Sequence, residues 1–574
     1  MNVLNNIKES LVEKLNQIIG EEFIKKEDLS HPPQKQMGDL SLPCFNLAKN
    51  LKRDPRELAE ELKEQVKVEN IAKTEVIGPY LNFFFDQKKL AEQVISEILE
   101  SKESYGQNTF GKGQKVMVEY FNVNTHKECH IGHLRNACFG EAVNRILKNN
   151  GYQSIPAFYI NDFGIHVAKT LWNWDDHLKK NYPDQDVETF SDKQKGYILG
   201  KAYSEAAQKL KEDESKQEEV NKLMKKIEKR KGAEYELWQK TRQWNIDQFE
   251  QIQKELGIAF EGRFYESDYI EKGKEMVQKL LKQGVLKKSQ GAVIADLEKY
   301  GLGVLIFLRS DGTATYPVAD LPLAKDKIDK YELDKSIYVV DNRQTLYFKQ
   351  LFKVLELMGY EQEMIHLSYE FVKLPGGMIS SRSGNVITYE ELREQVLSKS
   401  VEETQKKHPD WSKEKVEQIA EKIGMNAIKF EMLKVDSQNI ITFDIDQALS
   451  FDGFTSAYIQ YTAARIQSIL KKASETSFDS SGTEFLTEDK EHDLILKLAK
   501  YPELMFQAGK NFDPSEIAKY LFELSQLFND YYHQVPILQS DKEIRKARLV
   551  LLKTVEQTIE NGLKTLVLTP VSEM

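Results

Sequence analysis

The sequence predicts a multidomain α/β protein with three parts: an α+β N-terminal domain, a central domain on a mainly parallel sheet carrying a helical insertion, and an all-α C-terminal domain. Three observations lead there. The chain is 574 residues long, which at roughly 150 residues per domain suggests three or four domains, each with its own core. From Gln114 onward strand-like and helix-like segments alternate, the pattern of a parallel sheet with crossover helices. Beyond about residue 395 the apolar spacing is almost wholly helical. The expected boundaries are 1–100, 113–395 with an insertion at about 175–290, a connecting stem at 396–454, and 455–574.

Within the first unit, "MNVLNNIKESLVEKLNQIIG" reads as an amphipathic helix. "RDPRELAEEL" reads as another, with Asp54 as N-cap, Pro55 at the first helical position and Glu57 at the third. "TEVIGPYLNFFF" is β-rich and closes the unit. The central domain then runs "KVMVEYF" (strand), "GHLRNACFGEAVNRILKNNG" (helix), "SIPAFYI" (strand), and later "SIYVVD", "TLYFKQLFKVLELMG" and "HLSYEFVKL". Between these, residues 175 to 255 are rich in Lys and Glu with helical period, as a solvated helical insertion would be. Thr388 and Glu391 form a capping box that opens the helical remainder.

Composition narrows the function. Hydrophobic residues are 40% and charged residues 30%, and the apolar runs stay below the ~20 residues a membrane span needs, so neither export nor anchoring is expected. Cys44, Cys129 and Cys138 are too scattered for a disulfide framework or a thiolate zinc site and fit a reducing cytoplasm. A net charge of -10 leaves any nucleic-acid partner to local patches.

The most informative stretch is "NTHKECHIGHLRN", residues 124–136. His126, His130 and His133 at i, i+4 and i+7 would align on a continuous helix and suggest zinc. Gly132 and the preceding strand favour a different geometry, in which the histidines straddle a turn and the helix starts near the glycine. Such a turn at the edge of a parallel sheet offers free N–H groups and a helix dipole to phosphates. Buried structural histidines are the third alternative.

His130-Ile131-Gly132-His133 resembles the HIGH signature of class I aminoacyl-tRNA synthetases and related nucleotidylyltransferases. The surrounding "VEYFNVNTHKECHIGHLRN" resembles the arginyl-tRNA synthetase family more narrowly, with Glu119, Asn124, Lys127, His130, His133 and Arg135 at matching positions. The likeness continues through "YINDFGIHV", "LRSDGTATYPVADLPLA", "YVVDNRQTLYFKQLF", "FDGFTSAYIQYTAARIQSIL" and "NGLKTLVLTPVSEM". It implies a Rossmann-like catalytic domain, a D-loop-recognising N-terminal domain and a helical anticodon-binding domain. The implied activity is that of an ATP-dependent arginine–tRNA ligase of protein biosynthesis, with L-arginine, ATP and arginine tRNA as partners. Mg2+ would accompany ATP; no structural metal or membrane partner is expected, and a cytoplasmic monomer is.

A guanidinium is a planar fork of donors that never loses its charge, so its pocket needs carboxylates and other acceptors. Glu119 near a strand end and Asp320, one helical turn after Tyr316, can supply them. By the resemblance, Glu119, Tyr316, Asp320 and Gln344 hold the side chain, and Asn124 helps to place the amino acid. His130, His133 and Lys127, with Gly132 in the turn, would be the first positive groups on the phosphates.

The family's second phosphate loop, KMSKS, corresponds here to "GGMISSRSGN", with Met378 in place of the first lysine and Ser383 where a later one is common. Ser380, Ser381 and Arg382 keep the loop's hydroxyls and arginine, and Met378, Ile379 and Ser380 are its expected ATP contacts. One preorganised donor to a transition-state charge is worth about 2.7–4 kcal/mol, so either the activity is weak or another cation compensates. Lys127 is the candidate. Other departures are "NVN" where a small residue and Pro precede the Asn, Glu128-Cys129 where Pro-Leu is frequent, and Glu370 in place of Gly; these put the rigidity of the loop in question.

For tRNA, the resemblance places Tyr80 and Asn82 at D-loop contacts, Tyr458, Tyr461 and Arg465 on the anticodon-binding helix, and Met574 against the anticodon. A helical aromatic stripe is more often core, so at least one of the two helical tyrosines should be buried. A catalytically weak or silent tRNA-binding paralogue and, less consistent with the flanking domains, a small-molecule nucleotidylyltransferase are the competing readings.

Overall fold

The computed structural model describes residues 2–375, 387–473 and 477–574. In the N-terminal unit, helix α1 (Val3–Ile19) is followed by β1 (Leu40–Pro43), α2 (Phe45–Leu51), α3 (Pro55–Gln65), β2 (Ile71–Ile77), β3 (Tyr80–Phe85) and α4 (Gln87–Ser101). The strands form an antiparallel sheet in the order β1-β3-β2, with Leu81, Phe83 and Phe85 buried beneath the helices. The Asp54 carboxylate accepts from the N–H groups of Arg56 and Glu57 at 2.9 and 3.0 Å, with Pro55 starting α3.

The central domain begins with β4 (Lys115–Glu119), β5 (Val123–Asn124), α5 (Ile131–Asn149) and β6 (Gln153–Asn161). Four helices follow, α6 (Ile165–Asn181), α7 (Asp192–Glu212), α8 (Gln217–Glu228) and α9 (Ala233–Leu256), before β7 (Gly262–Tyr265) rejoins the sheet. Next come α10 (Ile270–Gln283), a small antiparallel sheet of β8 (Lys287–Ser289), β9 (Ala292–Asp296) and β10 (Val304–Leu308), then α11 (Pro317–Tyr331), β11 (Lys335–Asp341), α12 (Thr345–Leu357) and β12 (Glu363–Tyr369).

All pairings in the large sheet are parallel. Ala157 in β6 pairs with Glu119 on one side and Gly262 on the other, and Ile160 pairs with Val123 and Tyr265. The spatial order is therefore β12-β11-β4-β6-β7, with β5 resuming the edge of β4. From β4 the chain winds outward one way through β6 and β7, then crosses back to β11 and β12. The strand order reverses between β4 and β11, and ligands bind outside the carboxyl ends of strands at such a reversal.

The insertion differs from the single helical block expected at 175–290. Its helical part starts earlier, at Ile165, and ends at Leu256, and β7 inside the expected range belongs to the core sheet. Four residues, Gly-Arg-Phe-Tyr, are too few to show an alternating pattern, and β7 is paired only along β6.

Past the sheet, β13 (Val372–Lys373) pairs with β14 (Ile441–Thr442), and α13 (Tyr389–Lys407) and α14 (Lys413–Leu433) pack on each other, with α14 also against α5. The Thr388–Glu391 capping box is present, at 3.2 and 3.0 Å. After α15 (Ile445–Ala448), helices α16 (Ser456–Ala473), α17 (Asp489–Ala499), α18 (Tyr501–Asn511), α19 (Pro514–Gln534) and α20 (Lys542–Thr565) form the C-terminal domain. No helix among the described residues is long and apolar enough to cross a membrane.

Candidate active site

The 124–136 stretch lies at the strand reversal. His130 is the N-cap of α5: its Nδ1 accepts from the Gly132 N–H at 3.1 Å, and the Nδ1 of His133 accepts from the His130 N–H at 3.2 Å. The two rings stack with centroids 3.8 Å apart. With each Nδ1 an acceptor, the proton of the neutral ring sits on Nε2, free to donate. A Cβ on Gly132 would stand 3.0 Å from the His130 ring, so the glycine permits the stack.

Burial pushes the His130 imidazole down to about 4, with Lys127 and Arg343 adding to the effect. Burial likewise holds His133 well below the usual range, reinforced by His130 and Lys127. The expectation of positive histidines is corrected: in the free site both imidazoles are neutral at neutral pH, which leaves Lys127 as the cation among the three expected groups. The Lys127 ammonium lies 5.3 Å from the Tyr203 ring centroid on α7. Its pKa is lowered by burial and by neighbouring Lys169.

His126 fits the third alternative. It is buried, with φ +60°; its ring nitrogens bond the hydroxyls of Thr125 and Thr241 at 2.9 and 2.8 Å, and its N–H donates to Asn245 at 2.7 Å. Arg135 is also structural. Its buried guanidinium donates to the carbonyls of Ser437 and Asn439 at 3.0 Å each, bolting α5 to the turn after α14. Among the described residues no cluster of His, Cys, Asp and Glu could hold a metal ion.

A second group of side chains gathers beyond the ends of β4, β6 and β7. Glu119, at the end of β4, is ion-paired with Lys327 of α11, both buried. Its charge is thus already met within the protein, which the sequence did not suggest. Asp320 on α11 accepts from the Tyr347 hydroxyl of α12. Burial pushes the Asp320 carboxyl up to about 6, against the Tyr347 hydrogen bond that lowers it, and nearby Glu119 adds to the rise. Glu266, just after β7, is buried, and its Oε2 has no hydrogen-bond partner among the described residues. Burial and the charges of Asp320 and Asp162 hold it well above the ordinary carboxylate range. Tyr159 is raised by burial and by Asp320, Glu266 and Glu119, and Tyr316, exposed, borders Glu266 and Asp320.

The structure thus brings Glu119, Tyr316 and Asp320 together and adds Glu266, Tyr347, Tyr159 and Lys327, which sequence reading missed. Glu266 follows the missed strand β7, so nothing local marked it. Tyr347 sits three residues after Gln344, which is exposed at the head of α12, and that spacing was the available signal. Asn124 pairs with Asn161 at the end of β5. Met378, Ile379, Ser380, Ser381, Arg382 and Ser383 lie outside the described residues.

The departures have partners. Glu128 is ion-paired with Lys201 at 3.2 Å, and Glu370 accepts from the Asn342 side chain. Just before "NVN", the backbone turns through Phe121 at φ +58°, and the Phe121 N–H donates to Asn136.

Of the residues expected to meet tRNA, Tyr80 is exposed, edge-on to exposed Phe45 at 5.6 Å. Asn82 is buried instead, its amide turned onto the Tyr80 carbonyl at 3.3 Å, so as it stands it presents no surface. On α16, Tyr458 is partly buried, its hydroxyl accepting from Asn529 at 3.0 Å. Tyr461 is exposed, and Arg465 lies between its ring and that of Tyr532, at 4.7 and 5.2 Å. Met574 packs on the core, behind a Glu573–Lys415 ion pair at 2.5 Å.

Comparison with known proteins agrees with this layout. Residues 5–85 match the arginyl tRNA synthetase N-terminal domain, 94–445 the catalytic domain of tRNA synthetases class I (R), and 459–574 the DALR anticodon binding domain. The arginine–tRNA ligase of Bdellovibrio bacteriovorus is 37% identical over 549 residues, covering 94% of this chain and 92% of its own. That of Clostridioides difficile is 33% identical over 568 residues, covering 98% and 97%. The Thermus thermophilus arginyl-tRNA synthetase superposes over the whole of both chains with a TM-score of 0.81 at 25% identity.

Proposed function

Because the chain belongs to the class I arginyl-tRNA synthetase family, we propose that it activates L-arginine with ATP and transfers it to the 3′ end of arginine tRNA, as a cytoplasmic monomer. One observation carries the reading: two carboxylates that make no ion pair among the described residues, half-buried Asp320 and buried Glu266, lie in the same sheet domain as a helix start built to donate to phosphate.

In the first step an oxygen of the arginine carboxylate attacks the α-phosphorus of ATP. The bond from that phosphorus to the α,β-bridging oxygen breaks and pyrophosphate departs. In the second, a hydroxyl of the terminal ribose attacks the adenylate's carbonyl carbon, AMP leaves, and the hydroxyl proton passes to the released phosphate. Neither step uses a protein nucleophile. The protein aligns the reactants, which can supply up to about 7–11 kcal/mol of the barrier, and places donors where charge accumulates.

Each residue has a part. The Nε2–H groups of His130 and His133 donate to phosphate oxygens, and Lys127 supplies the positive charge that Met378 does not. Asp320 and Glu266 accept from the guanidinium, Tyr347 orients Asp320, and Lys327 holds Glu119 so that its second oxygen is available to the substrate. Tyr316 and Gln344 close the pocket, and Asn124 places the α-amino end. Among the described residues no cluster of His, Cys, Asp and Glu could hold Mg2+, which would arrive on the phosphates as part of the ATP substrate. Tyr80, Tyr461 and Tyr532 are exposed rings suited to stack on unpaired tRNA bases, the last two with partly buried Arg465 between them.

The test is charging of arginine tRNA with a panel of amino acids. Arginine is expected to be attached, whereas citrulline, its uncharged isostere, is not, because it leaves the pocket carboxylates unpaired. Equal charging of citrulline would refute the assignment of the pocket.

A further inference from the structure

Lys127 carries a task that depends on geometry, yet a lysine is a flexible stem with a point charge at its end. The segment around it, Lys127-Glu128-Cys129, also has no proline to stiffen it. Helix α7 of the insertion meets this segment through three residues within one turn, and the Tyr389 N–H at the start of α13 donates to the Cys129 carbonyl at 2.8 Å.

Gly200 is pressed onto the Lys127–Cys129 segment: a Cβ there would lie 2.7 Å from Glu128 Cγ and 2.9 Å from its backbone N, so only glycine allows α7 this close. The next residue, Lys201, pairs with Glu128 at 3.2 Å and also with Glu391, in the cap of α13, at 3.1 Å. Two residues on, half-buried Tyr203 presents its ring to the Lys127 ammonium at 5.3 Å. The same tyrosine borders Tyr316 across the site.

We propose that α7 is the positioning element for Lys127: Gly200 sets the approach, Lys201 fixes Glu128, and the face of Tyr203 holds the ammonium where the phosphates arrive. Tyr203 and Lys201 are positioning residues that act through Lys127 and touch no reacting atom. A cation on an aromatic face keeps its charge while losing conformational freedom, which is what a donor fixed in advance requires. The inference rests on the arginine-activating function proposed above.

It is tested by a mutant cycle on arginine-dependent ATP–pyrophosphate exchange in the full chain, at saturating arginine with arginine tRNA present. Tyr203→Leu and Lys201→Met should each lower kcat about tenfold with the KM for arginine unchanged within about twofold, while Tyr203→Phe, which keeps the ring face, restores the rate. Lys127→Ala should lower it about 10²-fold or more. Adding Tyr203→Leu or Lys201→Met to Lys127→Ala should then cost nothing further, because the group they position is gone. Losses that multiply in the double variants, or singles at the wild-type rate, overturn the proposal. Should Tyr203→Leu fail to fold, the Lys201→Met cycle, at a side chain one-third exposed, decides alone. Absence of exchange in the wild type would reject the functional reading itself, an outcome distinct from multiplicative losses.

Discussion

At the scale of single residues the site is a study in suppressed charge. Burial leaves His130 at about 4 and raises Asp320 to about 6, so both are near neutral when the pocket is empty in mildly acidic solution. An arriving guanidinium stays charged and favours ionised Asp320. Arginine binding near pH 6 should therefore release protons, and kcat/KM for arginine should fall as the pH drops through about 6. Calorimetry in buffers of differing ionisation heat measures the release; a buffer-independent heat at pH 6 would remove Asp320 from the pocket. The sequence pointed to Asp320 and Tyr316 through the family resemblance, and their spacing of one helical turn is compatible with a shared site. It could not reveal the Glu119–Lys327 pair, whose members are far apart in the chain and meet only after β4 and α11 pack.

Among the elements, α5 does most to place the chemistry, and it packs tightly on Tyr120, the residue that follows β4. A Cβ on Gly140 would fall 2.2 Å from Tyr120 Cβ, backbone-near atoms that cannot swing away. Gly140→Ala gains roughly 0.8–1 kcal/mol of helix propensity but loses about 1–3 kcal/mol to overpacking, so the collision should win and the thermal midpoint should fall. A raised midpoint would mean that α5 can shift outward without loss. Elements with long, regular patterns were readable from sequence: β4, β6, β11, α5, α12 and the caps at Asp54 and Thr388 all form as their spacing predicts. The failures were β7, too short to alternate, and with it Glu266, a buried carboxylate that no local pattern announces.

For the whole molecule, the domains are held together by ion pairs as well as by apolar contact. Glu503 on α18 accepts from Lys8 of the N-terminal unit at 2.7 Å and bonds His31 at 3.4 Å. Burial pushes this carboxyl up, but His31 and Lys8 prevail and hold it at about 2. A carboxyl depressed in the folded state stabilises above its unfolded value of about 4.3, and that contribution is lost as the pH falls toward 2. Glu503→Gln should cost about 1 kcal/mol near neutrality, discounted because the carboxylate is over a third exposed. The gap in melting temperature from the wild type should close between pH 4.3 and 2; a gap independent of pH would assign the effect to packing. The same pair shows why domain contacts were illegible in sequence: 495 positions separate its members.

The central claim is that this chain activates arginine although Met378 replaces a phosphate-loop lysine. It is tested most directly by ATP–pyrophosphate exchange with each amino acid in turn, with and without arginine tRNA. Exchange that depends on arginine alone is the predicted result, and its need for tRNA would be read from the same experiment. No exchange under either condition, with tRNA still bound, would contradict the account and leave a tRNA-binding protein that has lost its chemistry.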